Sequence, residues 1–369
     1  MSKEFEIGPI RPPSEAGSLL LRATRNCPWN KCKFCRLYKQ HEFSARTVEE
    51  IKADIDQAAL YRNNIRNGQM ESIYALPEET RERYRYIMQW IASGEDSVFL
   101  QDANTMVLSF DKLRSILEYL RETHPWVKRV TTYGRVDSLD KFTVEQLAEL
   151  KVAGLDRIHS GFESGSDSVL RMINKGHTKA QEIEAGLKVK ASGIELSVYF
   201  MPGVGGRGLS DGNASETADV INRINPDFVR IRTFVAQKGT QWYDEAQSGE
   251  IKECTDIEKM LELKKMIGLI NKAEGYLFSD HIINLFEDVN GNMAQDKERM
   301  LSVFSAYEKL DDRTRRRYQV ARRMGMVGRL ADLDELNIEQ SEQVDNYLAD
   351  IGEGEAYEEF LSTLLRRYI

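Results

Sequence analysis

Cys27, Cys32 and Cys35 lie within the ten-residue segment NCPWNKCKFC, directly after the apolar run SLLL. A chain of 369 residues can bury enough core to fold without staples, and three cysteines this close do not make a disulfide framework. Three thiolates on one loop bind zinc or an iron-sulfur cluster. A closed zinc site wants four ligands, commonly as two separated pairs. No second pair exists here: Cys254 is more than two hundred residues away, and the five histidines form no ligand-spaced pair. A [4Fe-4S] cluster on three cysteines would leave one iron open to a further ligand. On spacing alone both metals stay open.

The elements that must position these thiols follow a repeated grammar. SLLLRAT (Ser18 to Thr24) reads as a buried strand that delivers the chain into the cysteine loop. Thr47 and Glu50 then form a capping-box pattern that opens a helix with Val48, Ile51, Ile55 and Ala58 on one face. SVFL, KRVTTY, LDRIHSGF, IELSVYF and DFVRIRTFV read as further strands. Each is followed by a helix: through Leu113 to Leu120, from Thr143 and Gln146, in SDSVLRMIN, around ETADVINRI, and from near Thr255. EETRERYRYIMQWIAS is an extra helix between the first two strands. Six strand-helix units predict an α/β fold with parallel strands, a partial TIM-like (β/α)6 barrel in which ligands gather at the C-terminal strand ends. The expected organisation is an N-terminal arm over 1–17, the barrel over 18–275, and a mostly helical region over 276–369. The polar start and the lack of any run long enough to span a bilayer predict a soluble, cytoplasmic protein with no membrane partner. A formal net charge of −8 argues against broad nucleic-acid affinity.

The cysteine motif resembles that of the radical S-adenosylmethionine (SAM) enzymes, whose usual signature has three and then two residues between the cysteines, with an aromatic residue before the last. Here the spacing is four and then two, with Phe34 in the aromatic position. GFESGSDSVLRMINKGHT, Gly161 to Thr178, resembles the strand-four segment of the branch that holds methylthiotransferases, the elongator catalytic subunit and oxygen-independent coproporphyrinogen oxidase relatives. The resemblance covers roughly Leu19 to Gly239. It implies a [4Fe-4S] cluster on Cys27, Cys32 and Cys35, with SAM bound at the open iron. One electron, from a donor such as flavodoxin or ferredoxin, would cleave SAM to a 5′-deoxyadenosyl radical that abstracts hydrogen from the substrate. It further implies that Glu163 holds the SAM ribose, with its neighbour Ser164 also a cofactor-binding candidate, and that Asp102 or Asn104, in a turn without the family's glycines, accept from its amino group. Arg135 would pair with its carboxylate, and Gly203 and Gly205 of YFMPGVGG would let the backbone approach the adenosine.

A small-molecule substrate is the leading expectation, with RNA a second candidate partner. A methylthiotransferase would be expected to carry further cysteines for a second cluster, and an elongator-type enzyme an acetyltransferase domain; neither is evident. Two other readings stand beside the enzyme: a haem or cofactor carrier on the same fold, and a zinc-stabilised scaffold that binds RNA through the six arginines of RTRRRYQVARR (Arg313 to Arg323). For those arginines a solvated helix face paired with acids is the commoner explanation. His281, flanked by Asp280 and Asn284, is a candidate catalytic acid or base. Cys254 is read as an ordinary thiol.

Overall fold

Short apolar runs bounded by turn residues become parallel strands, and the capped runs between them become helical crossovers. The computed structural model describes residues 4–69, 73–352 and 354–368. Residues 1–3 of the expected arm, and 353 and 369 of the expected helical region, lie outside them. Along the chain the main elements are β1 (Leu19–Arg22), α1 (Val48–Arg66), α2 (Glu78–Ala92), β2 (Ser97–Gln101), α3 (Phe110–Thr123), β3 (Arg129–Tyr133) and α4 (Val144–Ala153). There follow β4 (Arg157–Glu163), α5 (Lys179–Ala191), β5 (Glu195–Phe200), α6 (Gly206–Ile224), β6 (Phe228–Ile231), α7 (Asp256–Leu269) and β7 (Tyr276–Phe278). The last helices are α8 (Lys297–Glu308), α9 (Asp312–Arg323), α10 (Ile338–Ile351) and α11 (Glu355–Leu365). This is the strand-helix alternation of a partial TIM-like (β/α) barrel. Reciprocal capping boxes start α1, α4 and α7, at Thr47 with Glu50, Thr143 with Gln146, and Thr255 with Glu258. Each N-cap contributes about 1 kcal/mol by satisfying amides that have no partner within the helix.

Packing divides the chain into two compact units. The first is Met1–Asn30, Tyr38–Ser160 and Glu184–Leu196; the second is Lys31–Leu37, Gly161–Ile183 and Ser197–Ile369. In the first unit β1, β2, β3 and the start of β4 pair in parallel, with Leu20 opposite Phe99, Val98 opposite Val130, and Thr132 opposite Ile158. The arm belongs to this unit, because Phe5 and Glu15 are fully buried. Glu15 accepts from Ser18 Oγ at 2.7 Å and pairs with Arg129 at 3.1 Å.

In the second unit β5, β6 and β7 pair in parallel, with Val198, Val229 and Leu277 in one row. A core of Val169, Ile173, Met201, Val204, Phe234 and Trp242 lies in the same unit. One expectation is corrected here, and two details are added to the mostly helical region. The crossover after β4 is α5, and SDSVLRMIN forms only the short helix Asp167–Met172. Tyr276–Phe278, assigned to the helical region, is a further parallel strand, because it finds backbone partners on β6. The stretch from Ser279 to Asn290 is not helical; side chains from elsewhere satisfy its backbone, Arg322 and Arg323 donating to the carbonyls of Asn284 and Ile283 at 2.9 Å. Among the described residues, no helix is long and apolar enough to cross a membrane.

Arg323 also makes a two-pronged pair with Asp256 at 2.8 and 2.9 Å, with both side chains almost fully buried. Burial alone would push the Asp256 carboxyl up, but the Arg323 charge and hydrogen bonds outweigh it and hold the carboxyl below its usual range. Such a depressed carboxyl stabilises the fold above about pH 4 and loses that contribution as pH falls further. Arg323→Met strands the buried carboxylate and is expected to cost about 3–5 kcal/mol, read as a lower urea midpoint at neutral pH. An unchanged midpoint would show that the pair is energetically idle.

Candidate cofactor site

β1 carries the chain to Arg22, and the cysteine loop follows. In the first unit the Asn30 amide donates to Cys27 Sγ at 3.4 Å. In the second unit the segment Lys31–Leu37 is fastened by its backbone. The Lys33 amide donates to the Ile173 carbonyl at 2.9 Å, the Trp242 amide donates to the Lys33 carbonyl at 3.1 Å, and Asn174 Nδ2 donates to the Lys31 carbonyl at 3.1 Å. Phe34 packs against the core around Val169, Ile173 and Trp242. Cys32 is buried, Cys27 and Cys35 are half-buried, and none is in a disulfide.

Asp102, expected to meet the SAM amino group, is already engaged. Its fully buried carboxylate pairs with Arg22 at 2.9 Å through Oδ2 and accepts from the Tyr38 hydroxyl through Oδ1. Burial first, and the Asp102 charge second, keep that hydroxyl protonated far above the usual phenol range. Arg22 precedes the cysteine loop and Tyr38 follows it, so Asp102 holds the two ends of the loop that lie in the first unit. Asn104 is spent as well: its Oδ1 accepts from the Arg135 amide at 3.0 Å and its Nδ2 donates to Ser138 Oγ at 2.8 Å. It therefore positions Arg135, whose Nε donates to Asp137 at 2.8 Å and whose guanidinium lies 5.6 Å from the Trp29 ring centre.

Glu163 ends β4 in a left-handed conformation, φ +70°, which costs a non-glycine residue about 1 kcal/mol or more and is held by neighbours. Its carbonyl accepts from the Met201 amide at 2.8 Å, and its carboxylate pairs with Lys175 at 3.0 Å. Lys175 Nζ also stands 5.9 Å from the Phe34 ring centre, so one buried cation neighbours both the ribose candidate and the cysteine segment. Ser164 Oγ donates to Asn213 Oδ1 at 2.5 Å, and Asn213 Nδ2 donates to Glu262 at 2.6 Å. The same Glu262 oxygen accepts from the Gly203 amide at 3.0 Å. The turns after β4 and β5 are thus joined through one amide and one carboxylate. Gly203 has φ +87°, and a Cβ there would meet Lys259 Cγ at 2.7 Å; a Cβ on Gly205 would meet Val169 Cγ2 at 2.9 Å. Sequence reasoning missed Lys175, Asn213 and Glu262. The only local signal was the NKGHT run, which placed a lysine just after the Glu163 segment.

His281 does not join these groups. Its Nδ1 accepts from the Ile283 amide at 3.3 Å within a turn. Burial, then the charges of Arg232 and Arg322, push its imidazole down to about 4, so at neutral pH the ring is the neutral imidazole and not the imidazolium a general acid needs. Asn284 is structural, accepting from the Thr233 amide at 2.8 Å and donating to the Ile231 carbonyl at 2.8 Å. The arginines of α9 are largely spent on internal partners: Arg322 on Glu287, Arg323 on Asp256, and Arg317 on Asp345. Burial pushes the Cys254 thiol up to about 12, leaving it inert at neutral pH.

The family model of the radical SAM superfamily matches residues 21–219, more than half of the chain. The protein belongs to the radical SAM superfamily. Among curated relatives, the tRNA-2-methylthio-N(6)-dimethylallyladenosine synthase of Desulforamulus reducens is 26% identical over 145 residues, covering 39% of this chain and 31% of its own. The 4'-phospho-dehydrooxetanocin synthase of Priestia megaterium is 28% identical over 193 residues, covering 50% of this chain and 23% of its own. The chain thus spans a third or less of the length of these two relatives. Among solved structures, Elp3 of Methanocaldococcus infernus with an N-terminal deletion aligns with a TM-score of 0.45 and 17% identity, over 62% of this chain and 58% of that one.

Radical SAM proteins use a [4Fe-4S] cluster and SAM. Among the described residues, no three Cys, His, Asp or Glu side chains stand at metal-binding spacing. The fit therefore rests on the donors themselves: three cysteines outside any disulfide, in the order the family uses, one receiving an amide N–H, on a loop fastened by its backbone. In kind and number these suit a cluster with one open iron.

Burial pushes the Glu262 carboxyl up to about 7, against the hydrogen bonds from Ser210, Gly203 and Asn213 and the charge of Lys259. A raised carboxyl stabilises the fold fully below its unfolded value, about 4.3, and loses that contribution as pH rises through about 7. Thermal melts from pH 5 to pH 8 should therefore show the wild type losing ground to Glu262→Gln as pH rises. Parallel pH profiles would remove Glu262 as a buried titrating group.

Proposed function

We propose that this protein is an enzyme that reductively cleaves SAM and uses the resulting 5′-deoxyadenosyl radical to abstract hydrogen from a small-molecule substrate. The observation that carries the reading is the fastened loop of three cysteines outside any disulfide, whose Phe34 neighbours the Lys175 that pairs with Glu163. In this reading Cys27, Cys32 and Cys35 hold the [4Fe-4S] cluster. A cluster held there would supply one-electron reduction of the SAM sulfonium, the electron coming from a flavodoxin- or ferredoxin-like donor, with cleavage of the bond from sulfur to C5′ giving methionine and the 5′-deoxyadenosyl radical.

The remaining work falls to this chain's own side chains. Glu163 and Ser164 accept from the ribose hydroxyls, with Lys175 fixing the Glu163 carboxylate. Arg135 pairs with the SAM carboxylate from a backbone position that Asn104 sets. Gly203 and Gly205 let the turn after β5 approach the adenosine, and Phe34 covers the cysteine segment on its apolar side. Asp102 acts one step back, on Arg22 and Tyr38. A reducing, cytoplasmic compartment suits an oxygen-sensitive cluster. RNA is the second substrate reading, favoured by the name of the Desulforamulus relative; the internal pairing of the α9 arginines takes away the support that helix lent it.

Anaerobic reconstitution with iron and sulfide, followed by dithionite and SAM, tests the reading. A brown protein with about four irons per chain that releases 5′-deoxyadenosine is expected. A colourless protein holding zinc would favour the scaffold reading, and a coloured one that binds haem without cleaving SAM the carrier. Cys32→Ala should lose the iron while its melting temperature stays near that of the metal-free wild type. Glu163→Ala should weaken SAM binding roughly 10- to 100-fold in a calorimetric titration, the worth of one charge-assisted hydrogen-bonding group. Unchanged SAM affinity would take Glu163 out of the site.

A further inference from the structure

The paired strands of the second unit have two unlike faces. The row Val198, Val229 and Leu277 and the row Phe200 and Ile231 are buried throughout. The alternate rows are Ser197, Phe228 and Tyr276, then Tyr199, Arg230 and Phe278. This second face is partly open: Tyr276 is 49% exposed, and Tyr199, Phe228 and Phe278 are half-buried. Phe228, Tyr276 and Phe278 form an aromatic floor, with the Phe278 ring centre 6.2 Å from that of Phe228 and 6.3 Å from that of Tyr276.

Arg230 is the strand cation on this floor, and its donors are poorly used. The residue is 6% exposed, and its Nε has no hydrogen-bond partner among the described residues. Its Nη1 stands 3.6 Å from Asp280 Oδ2, well beyond the roughly 2.7–2.9 Å of a charge-assisted hydrogen bond. Arg322 and Arg323, still more deeply buried, place their donors on carboxylates and carbonyls at 2.7 to 3.5 Å. The Arg230 guanidinium centre lies 5.0 Å from the Phe278 ring centre. Asp280 lies two residues past the end of β7, so the guanidinium reaches toward the C-terminal end of the strands, where ligands of such folds collect. The Asp280 side chain is 45% exposed and can turn into water at little cost, which the buried guanidinium cannot do.

We propose that Arg230 is the anchor for an oxyanion of the substrate, a phosphate or a carboxylate, with Phe278 beside the guanidinium and Asp280 as the counter-ion that the ligand displaces. A planar fork of N–H donors with unused capacity is the geometry that two oxygens of such a group complete. Only the description of the ligand as substrate rests on the hydrogen-abstraction reading; the anion site stands on its own geometry.

The test is calorimetric titration of the reconstituted protein, without oxygen and at low salt, with inorganic phosphate and separately with acetate. Wild type should bind at least one saturably. Arg230→Gln should weaken that binding tenfold or more, and Asp280→Asn should tighten it several-fold by removing the competing carboxylate. A response to phosphate alone marks a phosphate ester, and to acetate alone a carboxylic acid. Identical isotherms for wild type and Arg230→Gln, or no saturable uptake of either anion by wild type, overturn the proposal. Should Arg230→Gln fail to fold, Arg230→Lys keeps the charge and loses the fork, and Asp280→Asn gives an independent answer; unchanged affinity in both would be equally fatal. Release of 5′-deoxyadenosine by wild type is assayed in parallel. Its absence would sink the radical reading and leave the isotherms to decide Arg230.

Discussion

A fully buried carboxylate must be satisfied on both oxygens, and in the first unit that requirement at Asp102 organises the cysteine loop. One oxygen takes the Arg22 guanidinium, just before the loop, and the other takes the Tyr38 hydroxyl, just after it. Removing either partner would leave a buried charge half satisfied, so the loop ends cannot drift without cost. A residue that looked suited to touch SAM is better placed to hold the loop that carries the thiols.

The second unit meets the same demand with a different carboxylate. Glu262 takes the Gly203 amide, the Asn213 amide and the Ser210 hydroxyl, and Asn213 takes Ser164. The turns after β4 and β5 are thereby tied to α6 and α7 through hydrogen bonds rather than through apolar contact. Against that frame Glu163 keeps a strained backbone, φ +70°. Strain of this kind persists only where the surroundings over-determine the conformation, and it gathers at ligand sites.

Arginine serves opposite ends in this protein. Arg322 and Arg323 take the place of backbone partners for the irregular stretch after β7, so a sequence that reads as a basic surface helix is partly an internal brace. Arg230, also buried, leaves donor capacity unused beside an aromatic ring. Burial alone does not separate a structural arginine from a binding one; the count of satisfied donors does.

The amino-acid sequence by itself determined what depends on near neighbours. The three thiols, the apolar strand runs and the capping boxes at Thr47, Thr143 and Thr255 are local patterns, and a cap three residues from its partner needs no knowledge of the fold. Strand β7 escaped because a three-residue run shows no period, and its identity comes from backbone partners on β6. The duties of Asp102, Lys175, Asn213 and Glu262 were decided only by the tertiary structure. Asp102 meets partners 64 and 80 residues away and Asn213 meets Ser164 across 49, and a polar side chain at a strand end or on a helix looks the same in sequence whether it faces a ligand, water or a distant amide. What separates those fates is which donors burial brings within hydrogen-bonding distance, and only the folded chain specifies that.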